Sequence, residues 1–334
     1  MVKHEFIAKA PKVIGVPLWL FISARPRQWL KNIALFAPLV FEGEFFNPGK
    51  FWLVVFGFGI FCVVTSAIYL INDVIDIEKD RAHPFKSKRP IAAGKIKPAV
   101  AIFAAFVLLG AAVLIASKIS VFFTVAMVAY ATLQIFYSLF LRSVILLDVM
   151  AIASGFLLRV FAGAVLIDAH VTIWFILTVA SLALFLAVGK RRSERTLLLA
   201  SGKTLGTRSI LMHYPESLLD SLTVMFATTA WFSYTMFTFF QPTPSAGPQV
   251  LVLFGDLPRT FLASKWLMAT VPFVIYGVMR YLYVIHEKKE GESPERVLLS
   301  DKPLLITVIC WIVLLFVIIY GSQFLPAKLL RLLQ

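Results

Sequence analysis

The sequence predicts an all-α polytopic membrane protein with about nine transmembrane helices. Two observations carry the prediction. Apolar residues make up 60% of the 334 residues and charged residues only 15%, against about 45–50% and about 25% in soluble domains. Apolar runs of roughly 20 residues, the length a helix needs to cross the bilayer core, recur along the whole chain. Such a composition excludes a disordered chain and argues strongly against a soluble globule.

In order, the runs fall at 18–40, 51–72, 98–116, 120–140, 144–167, 171–189, 217–240, 262–284 and 303–325. The first is interrupted at its start by Arg25, Arg27 and Lys31, so it reads as an interfacial helix that then turns inward. It lacks the small-residue cleavage site of a secretory signal peptide. The whole chain, 1–334, reads as one integral membrane domain.

The net charge of +14 fits a membrane topology better than a nucleic-acid partner. With the N-terminus in the cytoplasm, basic clusters at 79–97, 190–208 and 280–302 all fall inside, together with Arg142. The outer segments keep only Lys50, Lys118, Arg259, Lys265, Lys328 and Arg331. This places the protein in the cell membrane as a multi-pass chain, with cytoplasmic loops at 73–97, 190–215 and 285–302 beside an active site on that face. The outer loop 241–261 begins Gln-Pro-Thr-Pro-Ser-Ala-Gly-Pro, a turn-rich linker. Cys62 and Cys310 lie inside apolar runs and read as small core residues, and the five histidines form no metal pair.

The chemistry gathers first at 66–97. Ser66, Tyr69, Asn72, Asp73, Asp76 and Asp80 lie at the inner end of the second run. Asn72, Asp76 and Asp80 repeat every four residues, and Asp73 joins three before Asp76, so a helix places these oxygens on one stripe. Crowded carboxylates repel, and an oxygen-only set suits a hard divalent cation such as Mg²⁺. A solvated acidic helix end is the plainer alternative, but it does not explain why the acids begin inside an apolar run. Arg81, His83, Lys86, Lys88 and Arg89 follow directly, a basic stretch suited to clamping phosphate.

Three weaker candidates follow. Tyr137, Arg142 and Asp148 sit where the fourth and fifth runs meet, and Arg159 lies about three helical turns beyond Asp148, on its face. Charged groups this deep are either functional or an internal structural ion pair. Gly189-Lys-Arg-Arg-Ser-Glu194 ends the sixth run with Lys190, Arg191, Arg192 and Glu194, either a basic cap or a phosphate site. Glu292, Pro294, Glu295 and Asp301 precede the last run.

Asn72-Asp-Val-Ile-Asp-Ile-Glu-Lys-Asp80 resembles the first Asp-rich motif, NDxxDxxxD, of the UbiA-type intramembrane prenyltransferase superfamily. The resemblance implies nine transmembrane helices around a central cavity and a diphosphate substrate held through Mg²⁺ at two Asp-rich helix ends. The region matching the second motif, Tyr137 to Asp148, departs from the usual DxxxD and offers only Asp148. That pattern resembles the decaprenyl-phosphate phosphoribosyltransferase branch. So do Arg25-Pro-Arg-Gln-Trp-Leu-Lys-Asn32, His83-Pro-Phe-Lys-Ser-Lys-Arg-Pro-Ile-Ala-Ala-Gly94, Leu158-Arg-Val-Phe-Ala-Gly163 and Gly189-Lys-Arg-Arg-Ser-Glu194. The resemblance covers roughly residues 20–305.

The branch resemblance implies transfer of a 5-phosphoribosyl group from 5-phosphoribosyl 1-diphosphate to a polyprenyl phosphate, releasing diphosphate, in the synthesis of arabinose donors for cell-wall polysaccharide. On that reading Asp73, Asp76 and Asp80, with Asn72, hold Mg²⁺, and Lys86 and Arg89 bind phosphate oxygens. Asp148 stabilises the developing positive charge, or holds a metal or the ribose hydroxyls. Arg159, Lys190, Arg191 and Arg192 divide the lipid phosphate and the ribose 5-phosphate between them. Lys31, Tyr69, Tyr137, Arg142 and Glu194 complete the substrate site. Two other readings stay open: a prenyltransferase with a polyprenyl diphosphate donor and an aromatic acceptor, and a transporter or non-catalytic membrane protein. Homo-oligomerisation is left open.

Overall fold

A computed structural model describes residues 12–83, 85–201, 209–241, 265–288 and 294–324. Among these there are helices and no strands. The main helices are α1 (Lys12–Ser23), α2 (Ala37–Phe41), α3 (Pro48–Ile75), α4 (Ile77–Ala82), α5 (Pro98–Ile119), α6 (Val121–Leu139) and α7 (Leu147–Ile167). After them come α8 (Ile173–Ser201), α9 (Glu216–Phe240), α10 (Val271–Tyr283), α11 (Pro294–Ser300) and α12 (Lys302–Phe324).

Among the described residues, 7 helices are long and apolar enough to cross a membrane, counting Trp266–Glu287 as one. They correspond to seven of the nine expected spans. The other two depart for visible reasons. Expected span 18–40 is broken: α1 ends at Ser23, a 3₁₀ stretch covers Pro26–Phe36, and α2 follows. The break is at Arg25, whose φ of 53° lies in the left-handed region, just before Pro26, which begins the 3₁₀ stretch. Expected span 217–240 is the helix α9, 25 residues long, but its serines and threonines dilute its hydropathy.

Local sequence explains the starts of several helices. Pro48 and Pro98 occupy first-turn positions, where their missing N–H costs nothing. Asn47 caps α3 by accepting from the backbone N–H groups of Gly49 and Lys50, and Ser120 caps α6 through Phe123. The expected inner loop 190–215 is helical to Ser201. No glycine or proline interrupts 190–201, and the pairing of Lys190 and Arg191 with Glu194 supports the turn. Likewise the expected loop 73–97 carries α4 and a 3₁₀ turn at Lys86–Lys88.

Neighbouring helices pack in sequence: α3 on α5, α6 on α7, α7 on α8, α8 on α9, and α12 on α10. The α5 contact face is a stripe of alanines, Ala101, Ala105, Ala112 and Ala116, all buried, while Phe103, Phe106 and Leu114 face outward. Small residues let two helices approach closely where lipid supplies no hydrophobic drive between them. The largest core cluster gathers Phe61 of α3, Phe123 and Tyr130 of α6 and Leu166 of α7 around the 3₁₀ residue Leu35. At Gly163 an added Cβ would lie 2.1 Å from the Leu35 carbonyl oxygen, so only glycine admits the stretch against α7. Cys62 is buried as expected, but Cys310 is exposed on the outer face of α12.

Candidate active site

The first lobe forms at the end of α3. The helix changes direction at Asp76, whose φ of −94° and ψ of 8° separate α3 from α4, yet Asp76 N–H still bonds the Asn72 carbonyl at 3.0 Å and Asp80 N–H the Asp76 carbonyl at 2.8 Å. The register of the acidic stripe therefore survives the bend. Asp73 and Asp80 are seven residues apart, nearly two turns, so they stack on one face. Both are buried, and both accept from Arg89, which lies 3.3 Å from Asp73. Arg25 also pairs with Asp73 and lies over the Tyr69 ring at 4.8 Å. Asp76 points elsewhere and is held by Arg142.

Burial would raise the Asp76 pKa, but hydrogen bonds from Arg142 and its charge more than offset this, so the carboxyl lies below its usual range. Asn72 Oδ1 is buried with no hydrogen-bond partner. No three carboxylate, histidine or cysteine side chains converge as a ready-made metal cluster among the described residues, and the three aspartates are each engaged by arginine. Lys86 is exposed on its 3₁₀ turn, and Lys31 is half-buried in the Pro26–Phe36 stretch.

The second lobe centres on Asp148, fully buried at the start of α7. Its Oδ2 accepts from Arg191 Nε at 2.7 Å and its Oδ1 from the Tyr214 hydroxyl at 2.6 Å. The remaining Arg191 nitrogens reach Glu194 at 2.6 Å and the Tyr137 hydroxyl at 3.2 Å, and Lys190 lies 3.8 Å from Glu194. Tyr137 and Arg142 both belong to the end of α6 and the turn after it, so this segment borders both lobes.

Two expected members of this lobe lie elsewhere. Arg159 does not pair with Asp148, whose two oxygens are taken by Arg191 and Tyr214. It is buried deeper in α7 among neutral groups: Asn32 Oδ1 at 2.8 Å, the Gly155 carbonyl at 3.0 Å and the Tyr130 hydroxyl at 2.6 Å. Arg192 faces a different side of α8, where it pairs with Asp220 and bonds the Ile285 carbonyl at 3.2 Å. One residue along a helix turns a side chain by about 100°, which separates Arg192 from its neighbour. Asp301 pairs with Arg280 at 2.9 and 3.0 Å, ahead of α12. Glu292 and the outer loop from 242 to 261 lie outside the described residues.

Arg25 and Tyr214 join these two clusters, a membership that composition and spacing do not reveal. Arg25 reaches Asp73 across 48 residues and Tyr214 reaches Asp148 across 66. The Arg-Pro step was the available signal for Arg25; nothing local marks Tyr214.

Fold and site together define a class: a multi-pass membrane protein that gathers carboxylates and cations around its helix ends. The chain belongs to the UbiA prenyltransferase family, which matches residues 33–300. It is 34% identical over 307 residues to the decaprenyl-phosphate phosphoribosyltransferase of Mycolicibacterium smegmatis, covering 91% of this chain and 93% of that one. The protein of the same name from Corynebacterium glutamicum is 32% identical over 304 residues, covering 89% and 86%. A UbiA homolog from Archaeoglobus fulgidus, solved bound to DMAPP and Mg²⁺, has the same fold, with a TM-score of 0.62 at 19% identity over 90% of this chain and 98% of that one.

Proposed function

We propose that the protein transfers a 5-phosphoribosyl group from 5-phosphoribosyl 1-diphosphate to a polyprenyl phosphate such as decaprenyl phosphate, with Mg²⁺, releasing diphosphate. The observation that carries this reading is the near full-length likeness to the two phosphoribosyltransferases, 91% of this chain against 93% of the first. The active site is proposed to lie at the cytoplasmic face of the cell membrane, the side to which the basic segments point.

In the proposed reaction an oxygen of the lipid phosphate forms a bond to C1 of the ribose, and the C1–diphosphate bond breaks with its electron pair leaving on the diphosphate. The acceptor is already an anion near neutral pH, so a strong base is not required. Asn72, Asp73 and Asp80 offer the all-oxygen donors that Mg²⁺ takes, and Asn72 Oδ1 is buried and unpartnered; Asp76 would join them on exchanging Arg142 for the metal. When bound, Mg²⁺ neutralises diphosphate charge and makes it a better leaving group. Arg25, Arg89 and Arg142 already stand against these carboxylates and carry N–H donors suited to phosphate oxygens. Asp148, fully buried with both oxygens engaged, orients Arg191 rather than touching substrate. Tyr137, Lys190 and Glu194 are the half-buried groups of that lobe, and their accessibility supports a role in substrate binding.

The test is a transfer assay on purified protein in detergent with 5-phosphoribosyl 1-diphosphate, decaprenyl phosphate and Mg²⁺, read by mass for the lipid product, with EDTA as control. Metal-dependent phosphoribosyl lipid is expected. Product only from a polyprenyl diphosphate and an aromatic acceptor overturns the reading in favour of prenyl transfer.

A further inference from the structure

We propose that Tyr214 is a positioning residue for the transfer reaction, holding Asp148 so that Arg191 presents Tyr137 and Glu194 to the substrate. The inference rests on the function proposed above and adds a residue and a route to it.

The route is a continuous chain of hydrogen bonds. The Tyr214 hydroxyl donates to Asp148 Oδ1 at 2.6 Å, and Arg191 Nε donates to Oδ2 at 2.7 Å. Arg191 then donates to Glu194 at 2.6 Å and to Tyr137 at 3.2 Å. Tyr214, Asp148 and Arg191 are all at most 1% exposed, whereas Tyr137 and Glu194 are half-buried. The three buried members therefore have no access to substrate, and the two outer members do.

A second contact fixes where the chain begins. The Tyr214 hydroxyl accepts from the Leu146 N–H at 2.7 Å. Leu146 has φ 68° and ψ −41°, a conformation rare and strained for a side-chain-bearing residue. It lies two residues before Asp148, so its turn sets where the carboxylate emerges at the head of α7. One phenol oxygen thus holds both the strained turn and the carboxylate that follows it.

Stability alone is a poor reason for this arrangement. A buried ion pair contributes little net stability compared with apolar residues of the same shape, and a strained backbone subtracts from it. A fully satisfied buried network does confer rigidity, which a site needs to orient its exposed groups. Burial and the hydrogen bond to Asp148 push the Tyr214 phenol above its usual range, so it remains a donor at all physiological pH.

The experiment compares wild type with Tyr214→Phe, which keeps the ring and removes the hydroxyl. Two quantities are measured on each: transfer kinetics, and calorimetric binding of inorganic diphosphate with Mn²⁺ at the Asp73–Asp76–Asp80 lobe. The expected result is a fall in kcat/KM of roughly tenfold or more, the size typical when a group that orients a ligand-contacting residue is lost. Diphosphate binding is expected to stay unchanged. Glu194→Gln is expected to show a similar defect, and the double variant little further loss, because the residues act through one chain. A merely structural Tyr214 would lower the melting temperature and leave kcat/KM per folded molecule intact, with the double variant matching Glu194→Gln alone; that result overturns the proposal. If Tyr214→Phe does not fold, the comparison is repeated in a Leu146→Gly background, where the turn no longer needs holding. Failure to fold there too assigns Tyr214 a structural role and also overturns it. A wild type that makes no phosphoribosyl lipid while still binding Mn²⁺-diphosphate overturns the proposed function, and this inference with it. An active wild type with a fully active Tyr214→Phe overturns the inference alone.

Discussion

Arg142 grips Asp76 through two parallel hydrogen bonds, each 2.6 Å, across 66 residues of sequence. The planar guanidinium matches the carboxylate fork, and the pair ties the end of α3 to the turn that leads into α7. It is the direct link between the acidic stripe and the segment that also carries Tyr137. The arrangement makes Arg142→Lys a sharp test, because lysine keeps the charge and loses the fork. Losing one charge-assisted hydrogen bond costs about 1.5–3 kcal/mol, so kcat/KM is expected to fall by at least tenfold in a folded variant. Wild-type kinetics for Arg142→Lys would show that charge alone suffices.

The carboxylates themselves are the next test. Asp76→Ala is expected to insert into the membrane normally and to lose nearly all turnover, since Asp76 belongs to the proposed Mg²⁺ set. EDTA should silence the wild type, and excess Mg²⁺ should restore it. Substantial turnover by Asp76→Ala, or by wild type in EDTA, would remove the metal role from this stripe.

The spans were legible wherever apolar residues ran unbroken, as in 51–72 and 303–325, because bilayer thickness sets a length that sequence alone reveals. The first span differs because Arg25 adopts a left-handed conformation before Pro26, where it pairs with Asp73 and lies over the Tyr69 ring. The sixth helix runs on past its basic cluster because Lys190, Arg191 and Glu194 are good helix formers with mutual pairs. At the site the aspartates were legible from a four-residue repeat, a local property. Arg89, Arg142 and Arg191 were legible as cations of the site, but their pairings were not: Asp73, Asp76 and Asp148 are met by arginines 48, 66 and 43 residues away. The depth of Arg159 is legible from its place in an apolar run, but its company of Asn32, Tyr130 and Gly155 is set in three dimensions.

Arg159 holds three elements together: the 3₁₀ stretch through Asn32, α6 through Tyr130, and its own helix through Gly155. Its guanidinium also stacks over the Tyr130 ring at 4.5 Å. Arg159→Ala would take the charged donor from the buried Asn32 and Tyr130 oxygens and leave each with Thr65 alone, a loss of about 1.5–3 kcal/mol for each charge-assisted bond. The expected outcome is a lower melting temperature in detergent and a reduced folded yield. An unchanged melt would show that water or neighbouring hydroxyls replace the arginine.

Gly163 marks the closest approach of the 3₁₀ stretch to α7. An added Cβ would sit 2.1 Å from the Leu35 carbonyl oxygen and 2.8 Å from the Leu35 carbonyl carbon, distances that real Cβ contacts do not reach. Both obstacles are backbone atoms, so no side-chain rotation relieves them. The stretch must move away from α7, and it carries Asn32, which orients Arg159, and begins beside Arg25, which pairs with Asp73. Gly163→Ala is therefore expected to lower both stability and turnover, even though alanine favours helix over glycine by about 0.5–1 kcal/mol at an unobstructed position. Gly110→Ala is the matched control, since Gly110 lies in α5 and an added Cβ there meets nothing within 4 Å. Thermal melts and transfer kinetics on the two variants should move in opposite directions for stability, with Gly110→Ala level or raised and Gly163→Ala lowered. Equal behaviour of the two would mean that the stretch is free to shift without disturbing the site.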